Sequence, residues 1–368
     1  MNDILEWLVT AEDPRQQAKV KHLMRDIIAI VFFAELASAS EWIEIYLFAV
    51  RHEEVLRKYL TLPHGIPSHD TIQRVFGVVS AACLQEFRAQ WNEIMAGSVG
   101  DKIRKILALD GKTQRGNGTA EEKANHIVSA VDDSGFCLGE VLVDTKSNEI
   151  TAIPELLKSL NIKGHIVTID AMGCQKDIAE LIKKGRADYL LGLKGNQGTL
   201  HEDVAWYFDD PTRRADCAYH KVVEKARSAV ETREYWQTTD VNWLSQHKAW
   251  MGLKSIVMTK NTIVKDNKTT TDIRYFISSL PLNVEEASHA IRSHWMVESY
   301  HWHLDVTFRE DANHTLDKAA AYNLNIMKKM AINTLRLVDV GIAKISMKNK
   351  RFMLNMNFEH YLDILMAL

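Results

Sequence analysis

The chain has 368 residues, of which 46% are hydrophobic and 25% charged, and its 45 Lys and Arg against 48 Asp and Glu give a formal net charge of −3. That length accommodates one main domain with one or two smaller units, and the composition is that of a folded protein with a real core, which excludes a largely disordered chain. The near-neutral charge excludes a surface that grips nucleic acid all over, so any phosphate-binding surface has to be local. One candidate is the stretch carrying Lys328, Lys329, Arg336, Lys344, Lys348, Lys350 and Arg351, opposed only by Asp339. A solvated helix face is the plainer reading of the same residues.

Residues 1–95 read as a helical accessory domain. Apolar residues recur at helical spacing from Leu23 to Ala39 and from Glu41 to Leu60, Pro14 and Pro63 punctuate them, and Ser68 and Asp70 offer N-caps before a helix over Thr71 to Val79. The apolar run from Ile27 to Ala39 is too short to span a bilayer and is interrupted by Glu35, and the first residues lack the order of a signal peptide. Cys83, Cys137, Cys174 and Cys217 fall into no disulfide or zinc spacing. A cytoplasmic protein without a membrane segment is the expectation.

From about residue 103 the texture changes. Short β-branched runs at Ile106 to Leu109, His126 to Val131 and Leu138 to Val143 read as three antiparallel strands, the last two joined by the turn Asp132-Asp133-Ser134-Gly135. A helix around Ile153 to Leu160, a strand His165 to Ile169, a helix Gln175 to Lys184 and a strand Tyr189 to Leu193 follow. Three antiparallel strands and then alternating helix and strand is the order of a ribonuclease-H-like α/β domain. Residues 199–280 interrupt it as a β-rich insertion, with strand-like pieces at Val222 to Val223, Glu231 to Thr238, Lys254 to Met258 and Thr271 to Ile277. Val284 to Phe308 returns to a long helix whose Trp295, Trp302 and Val306 form an apolar stripe expected to bury against the sheet. A helix over Ala319 to Val338 closes a catalytic domain at 100–340, and 341–368 is read as a C-terminal tail.

Two apolar runs end in an aspartate, Asp110 in Ile-Leu-Ala-Leu-Asp-Gly-Lys and Asp170 in His-Ile-Val-Thr-Ile-Asp-Ala. Buried strands would deliver both carboxylates at their tips, and if the first and fourth strands are neighbours the two lie side by side. Such a pair repels unless a cation neutralises it, and hard oxygen ligands suit magnesium or manganese. A single aspartate at a strand end is more often a turn or a cap; two on strongly apolar runs point to a site. Asp132, Asp133, Glu140 and Asp144 compete, but the first two fall in a hairpin turn and the other two are expected to face solvent from the third strand.

Glu298 is the third candidate, on a helix where His294, Glu298, His301 and Asp305 share one face. The order is not His-Glu-x-x-His, so zinc is disfavoured against ordinary pairing of His with Glu. Three carboxylates would serve a two-metal site, where one ion activates a water or 3′-hydroxyl and the other stabilises the leaving oxygen of a phosphodiester. Lys112, Arg115, Lys146 and Lys194 fall near the strand ends, where cations could hold phosphates.

Several segments together resemble the DDE insertion-sequence transposases, in the branch of the H-repeat-associated proteins. They are Leu107-Ala-Leu-Asp-Gly-Lys-Thr113, Thr168-Ile-Asp-Ala-Met-Gly-Cys-Gln175, Leu193-Lys-Gly-Asn-Gln197, His294-Trp-Met-Val-Glu298, His301-Trp-His-Leu-Asp-Val-Thr-Phe308 and Glu310-Asp311. Asp13-Pro-Arg15 and Gly65-Ile-Pro-Ser-His-Asp-Thr71 are similar to the helical domain associated with that branch. The resemblance implies a metal triad of Asp110, Asp170 and Glu298 with magnesium or manganese. It also implies cleavage at terminal inverted repeats, transfer of 3′ ends into target DNA, and a homodimer on double-stranded DNA. A nuclease without transposition and an inactive DNA-binding descendant are the alternatives. Related transposases often carry Tyr, Arg and Lys around the glutamate at offsets of minus seven, minus four and plus seven; here those positions hold Ile291, His294 and Asp305, so the roles of that wider pattern do not transfer.

Overall fold

The computed structural model describes residues 12–97, 105–144, 147–226 and 229–367. Its centre is one nine-stranded mixed sheet with strand order β3-β2-β1-β4-β5-β9-β8-β7-β6. The strands are β1 Ile106–Thr113, β2 His126–Asp132, β3 Cys137–Leu142, β4 Ile166–Ile169, β5 Asp188–Leu193, β6 Ala218–Ala226, β7 Ala229–Thr238, β8 Ser255–Lys265 and β9 Lys268–Ser278. The first three are antiparallel, whereas β4 lies parallel to both β1 and β5. Every residue of β4 is buried, as a central parallel strand covered on both faces requires.

The expected β-rich insertion is a continuation of this same sheet. It starts with a helix, Gly198–Asp209, and then adds β6 to β9, with β9 pairing antiparallel to β5. The β8–β9 turn at Asp266 and Asn267 has positive φ at both residues, 50° and 60°, the backbone that a two-residue hairpin demands and that Asn and Asp tolerate. At the β2–β3 turn, Asp132 Oδ1 accepts the N–H groups of Ser134 and Phe136, and Gly135 takes φ 81°. Asp132 thus holds the hairpin, as its place in a turn suggested.

One face of the sheet packs on helices α5 Glu149–Ser159 and α6 Lys176–Lys184, together with the helix Gly198–Asp209, here α7. The other face carries α8, Val284–Trp302, capped by the Asn283 side chain, which accepts from Glu286 N–H. The buried side of α8 is Ala287, Ala290, Val297 and Tyr300, continued by Leu304 in a π-helical turn over His303–Thr307. The tryptophan stripe is therefore not the core face: Trp295 and Trp302 are 42% and 55% exposed. Two small alanines let the helix come close to the sheet, and the bulky indoles are left on the outside.

The N-terminal helices are α1 Met24–Leu36, α2 Trp42–Arg51, α3 His69–Phe76, capped by the Ser68 hydroxyl, and α4 Ala81–Gly97. They form no separate body. Their apolar residues share one core with α9, Lys318–Leu337, and with Ala108, Ile127, Val131 and Cys137 of the sheet. Buried indole N–H groups stitch the parts together, Trp42 donating to Thr315 at 2.8 Å and Trp91 to Thr334 at 2.7 Å. Residues 341–368, expected as a tail, form α10 Met347–Met356 and α11 Phe358–Ala367, with Phe358 set against Phe33 and Phe48.

The C-terminal basic stretch is not one surface, because α9 is buried on almost every side and a helix so placed must pair its charges internally. Lys328 and Lys329 are each 1% exposed and Arg351 3%. Lys329 donates to Ser129 at 2.8 Å, and Arg351 reaches the Glu35 backbone oxygen at 2.7 Å. Glu140, expected to face solvent, is also buried, its carboxylate held by Arg88 and by Lys329 at 3.6 Å. Only Lys344 and Lys348 of that stretch are well exposed. No helix among the described residues is long and apolar enough to cross a membrane.

Candidate active site

The register between β1 and β4 pairs Leu109 with Ile169, so Asp110 and Asp170 are each the next residue along two neighbouring parallel strands. Side chains alternate across a strand, and Leu109 and Ile169 belong to the core on the α5–α6 face. Asp110 and Asp170 consequently point to the α8 face, where Glu298 meets them. All three carboxylates line a single cleft of about 910 Å³ that continues along β7, β8 and β9 of the insertion.

Asp170 is fixed by its own turn: its Oδ1 accepts from Met172 N–H at 3.0 Å and Gly173 N–H at 3.4 Å. The preceding Thr168 bonds His294 Nδ1 of α8 at 3.0 Å, tying β4 to the helix that bears Glu298. His301, one turn beyond Glu298, lies with Nδ1 3.6 Å from Asp110 Oδ2. Burial, with Lys329 and Lys112 nearby, pushes the His301 imidazole down to about 3, so it stands neutral beside the carboxylate. His294 is likewise lowered, mainly by burial.

Burial, reinforced by the negative fields of Glu149, Asp170 and Glu298, pushes the Asp110 carboxyl up to about 7. Glu149 went unnoticed in the sequence. It caps no motif, yet its Oε1 lies 2.6 Å from His126 Nε2, and this pair sits directly over Gly111. A Cβ at Gly111 would collide with both side chains, so the glycine is needed for that approach.

The four cations expected near the strand ends have different fates. Lys194 lines the cleft beside Asp170. Arg115 is 83% exposed at the outer end of β1. Lys112 is turned away from the cleft into a cluster of acids, with Nζ 2.7 Å from Asp305, 3.0 Å from Glu310 and 3.1 Å from Asp311. Lys146 lies outside the described residues. Arg274, Arg292 and Lys260 also line the cleft and escaped sequence reasoning, because only the fold brings the insertion alongside α8.

The donor set of the triad, oxygen only and short of positive charge, fits magnesium or manganese. Among the described residues, the tightest group of carboxylate oxygens, all within 4.8 Å of one another, is instead Asp305, Glu310 and Asp311, where Lys112 already supplies the cation. The triad is not so tightly gathered.

The family described as "Transposase DDE domain" matches residues 101–334, and "DDE_Tnp_1-associated" matches residues 5–92. The chain belongs to the DDE transposases, in their H-repeat-associated branch. It is 38% identical over 365 residues to "Putative transposase YncI" of Escherichia coli O157:H7, covering 95% of this chain and 91% of that protein. Identity is 35% to "Putative protein YbfL" and 34% to "H repeat-associated putative transposase YhhI" of Escherichia coli strain K12, covering 97% of both chains in each case. The matched catalytic segment of this transposase-family chain contains Asp110, Asp170 and Glu298, and it ends within α9.

Proposed function

We propose that the chain cuts DNA at the ends of its mobile element and joins them to target DNA, with Asp110, Asp170 and Glu298 holding two divalent ions. The observation that carries this reading is the convergence, in one cleft, of two strand-end aspartates and a helix glutamate. The strand order 3-2-1-4-5, with the first three strands antiparallel, supports a ribonuclease-H-like core under the site. Bound ions would supply activation of a water or 3′-hydroxyl and stabilisation of the leaving oxygen.

The chain's own residues do the positioning. Met172 and Gly173 N–H groups hold one Asp170 oxygen and leave the other for a ligand. Neutral His301 supports Asp110 without competing for the charge. Lys194, Arg274, Arg292 and Lys260 line the path that a DNA strand would take away from the triad, where cations hold phosphates in register without reading sequence.

The test is incubation of purified protein with labelled DNA bearing the flanking inverted repeats, in magnesium, in manganese and in chelator, beside Asp110→Asn. Nicking at the repeat ends that needs metal and is absent from the variant is the expected result. Binding without nicking in either metal would overturn the enzymatic reading and leave a DNA-binding descendant. Metal-dependent nicking at random sites would leave a nuclease.

A further inference from the structure

Lys112 lies two residues past Asp110 on β1, on the same side of the strand, yet it takes no part in the cleft. Its side chain is only 10% exposed, and its ammonium meets three carboxylates, Asp305 in the turn that follows α8 and Glu310 and Asp311 in the short helical turn after it. Asp305 belongs to the π-helical turn, a departure from α-helical geometry that begins one residue after α8 ends. Glu310 is held from behind by Asn325 and by Gln114 at 3.2 Å, and the field of Lys328 also favours its charge. Arg115 N–H donates to Asp311 Oδ1 at 3.1 Å, and Gly116 lies so close to the Asn313 and Asp311 backbone oxygens that a Cβ would collide with them.

The outer end of β1 and the chain that follows α8 are thus one block, and Lys112 is its centre. That block joins the two elements that carry Asp110 and Glu298, beyond the contact that His301 of α8 makes with Asp110 itself.

We propose that Lys112 is a positioning residue: by clamping Asp305, Glu310 and Asp311 it sets the separation of Asp110 from Glu298, and so the affinity of the triad for its divalent ions. The proposal rests on the triad reading above. It differs from the role of a phosphate contact, which the lysine's place in the sequence first suggested.

The full chain with Lys112→Met, Lys112→Arg and Asp305→Asn is compared with wild type in three measurements. Manganese binding is followed by electron paramagnetic resonance without DNA, binding to repeat-end DNA is titrated against salt, and hydrogen exchange is mapped over residues 110–113 and 303–311. Asp305→Asn keeps Lys112 paired with two acids and guards against a Lys112→Met chain that does not fold.

Lys112→Met is expected to weaken manganese binding about tenfold or more, the usual effect of removing a group that orients metal ligands, with Asp305→Asn in the same direction and Lys112→Arg closer to wild type. Exchange should rise in the two mapped segments, and DNA affinity should hold within about threefold. Unchanged manganese binding and exchange, with weaker DNA binding and a salt dependence lower by about one ion, would overturn the proposal in favour of a phosphate contact. If wild type binds no manganese, the triad reading fails, and unchanged exchange would then also dismiss the clamp.

Discussion

Two residues apart on β1, Asp110 and Lys112 each meet a group of acids, and the charge of the two groups is handled in opposite ways. Glu310, in the group around Lys112, is fully enclosed, yet the nearby Lys112 and Lys328 charges and the Asn325 hydrogen bond bring its carboxyl down to about 2. Asp110 is less deeply placed, with 26% of its side chain exposed, but it meets Glu149, Asp170 and Glu298 rather than cations and is pushed up to about 7. Burial raises both. Between these two acids the sign of the neighbouring charge decides the outcome.

The strongest way to break this comparison is to remove each kind of acid. On the proposed reading, Asp110→Asn, Asp170→Asn and Glu298→Gln are each expected to lower end cleavage by about a thousandfold or more, since each would remove a ligand from a metal site worth several kcal/mol of transition-state stabilisation. Thermal melting without metal should show no loss for Asp110→Asn, because an unpaired buried charge disappears with it. Cleavage retained by all three variants would dissolve the site.

Glu140→Gln should do the reverse. It leaves Arg88, 3% exposed, and Lys329, 1% exposed, without their shared carboxylate, and breaking a buried pair from one side costs about 3–5 kcal/mol. Denaturant unfolding of Glu140→Gln would measure it. A loss below about 1 kcal/mol would mean that the network is looser than its geometry.

This contrast was only half legible in the sequence. Asp110 and Asp170 stood out because two strongly apolar runs each end in an aspartate, whereas the neighbouring of their strands was a condition that the pairing of β1 with β4 meets. Glu298 stood out less sharply, since its helix offers several acids and histidines at similar spacing, and the family resemblance reinforced the choice. What the sequence hid was pairing over long separations. Lys328 and Lys329 read as surface charge because nothing local announces Glu310, Ser129 or Glu140 as partners, and Glu140 looked solvent-facing because Arg88 lies 52 residues away. Trp295 and Trp302 looked like core because indoles carry the largest apolar area, whereas the close helix–sheet approach selected Ala287 and Ala290. The two C-terminal helices were missed for a related reason: their apolar residues contact a core drawn from far along the chain, about half of it from residues 24–95.

The pH dependence of stability sharpens the same comparison. For Asp110 the folded carboxyl holds its proton up to about 7 while the unfolded one releases it near 3.8. Between those values the folded state binds more protons, so this group's contribution falls as pH rises, by on the order of a few kcal/mol in all without metal. Glu310 has the opposite sign: its contribution is complete above about 4.5 and is lost as pH falls towards 2. Metal-free melting curves should therefore show wild type losing ground to Asp110→Asn from pH 4 to 7. Wild type should exceed Glu310→Gln most clearly above pH 4.5. Parallel curves for wild type and Asp110→Asn across that range would mean that Asp110 is already compensated.

The smallest expected effect concerns the cleft cations, which differ from Lys112 and Lys329 in having been left free of tight acidic partners or close to solvent. Lys194 is exposed at the cleft, directly after β5 and beside Asp170, and its place there supports a contact with one phosphate. Lys194→Ala should weaken binding to repeat-end and unrelated DNA alike, by about 1 kcal/mol or less, and lower the slope of log affinity against log salt by about one. Because the residue touches no buried partner, melting should be unchanged. A loss confined to the repeat-end sequence would mean that Lys194 reads a base, and no loss at all would move the DNA path towards Arg274 and Arg292 on the far wall of the cleft.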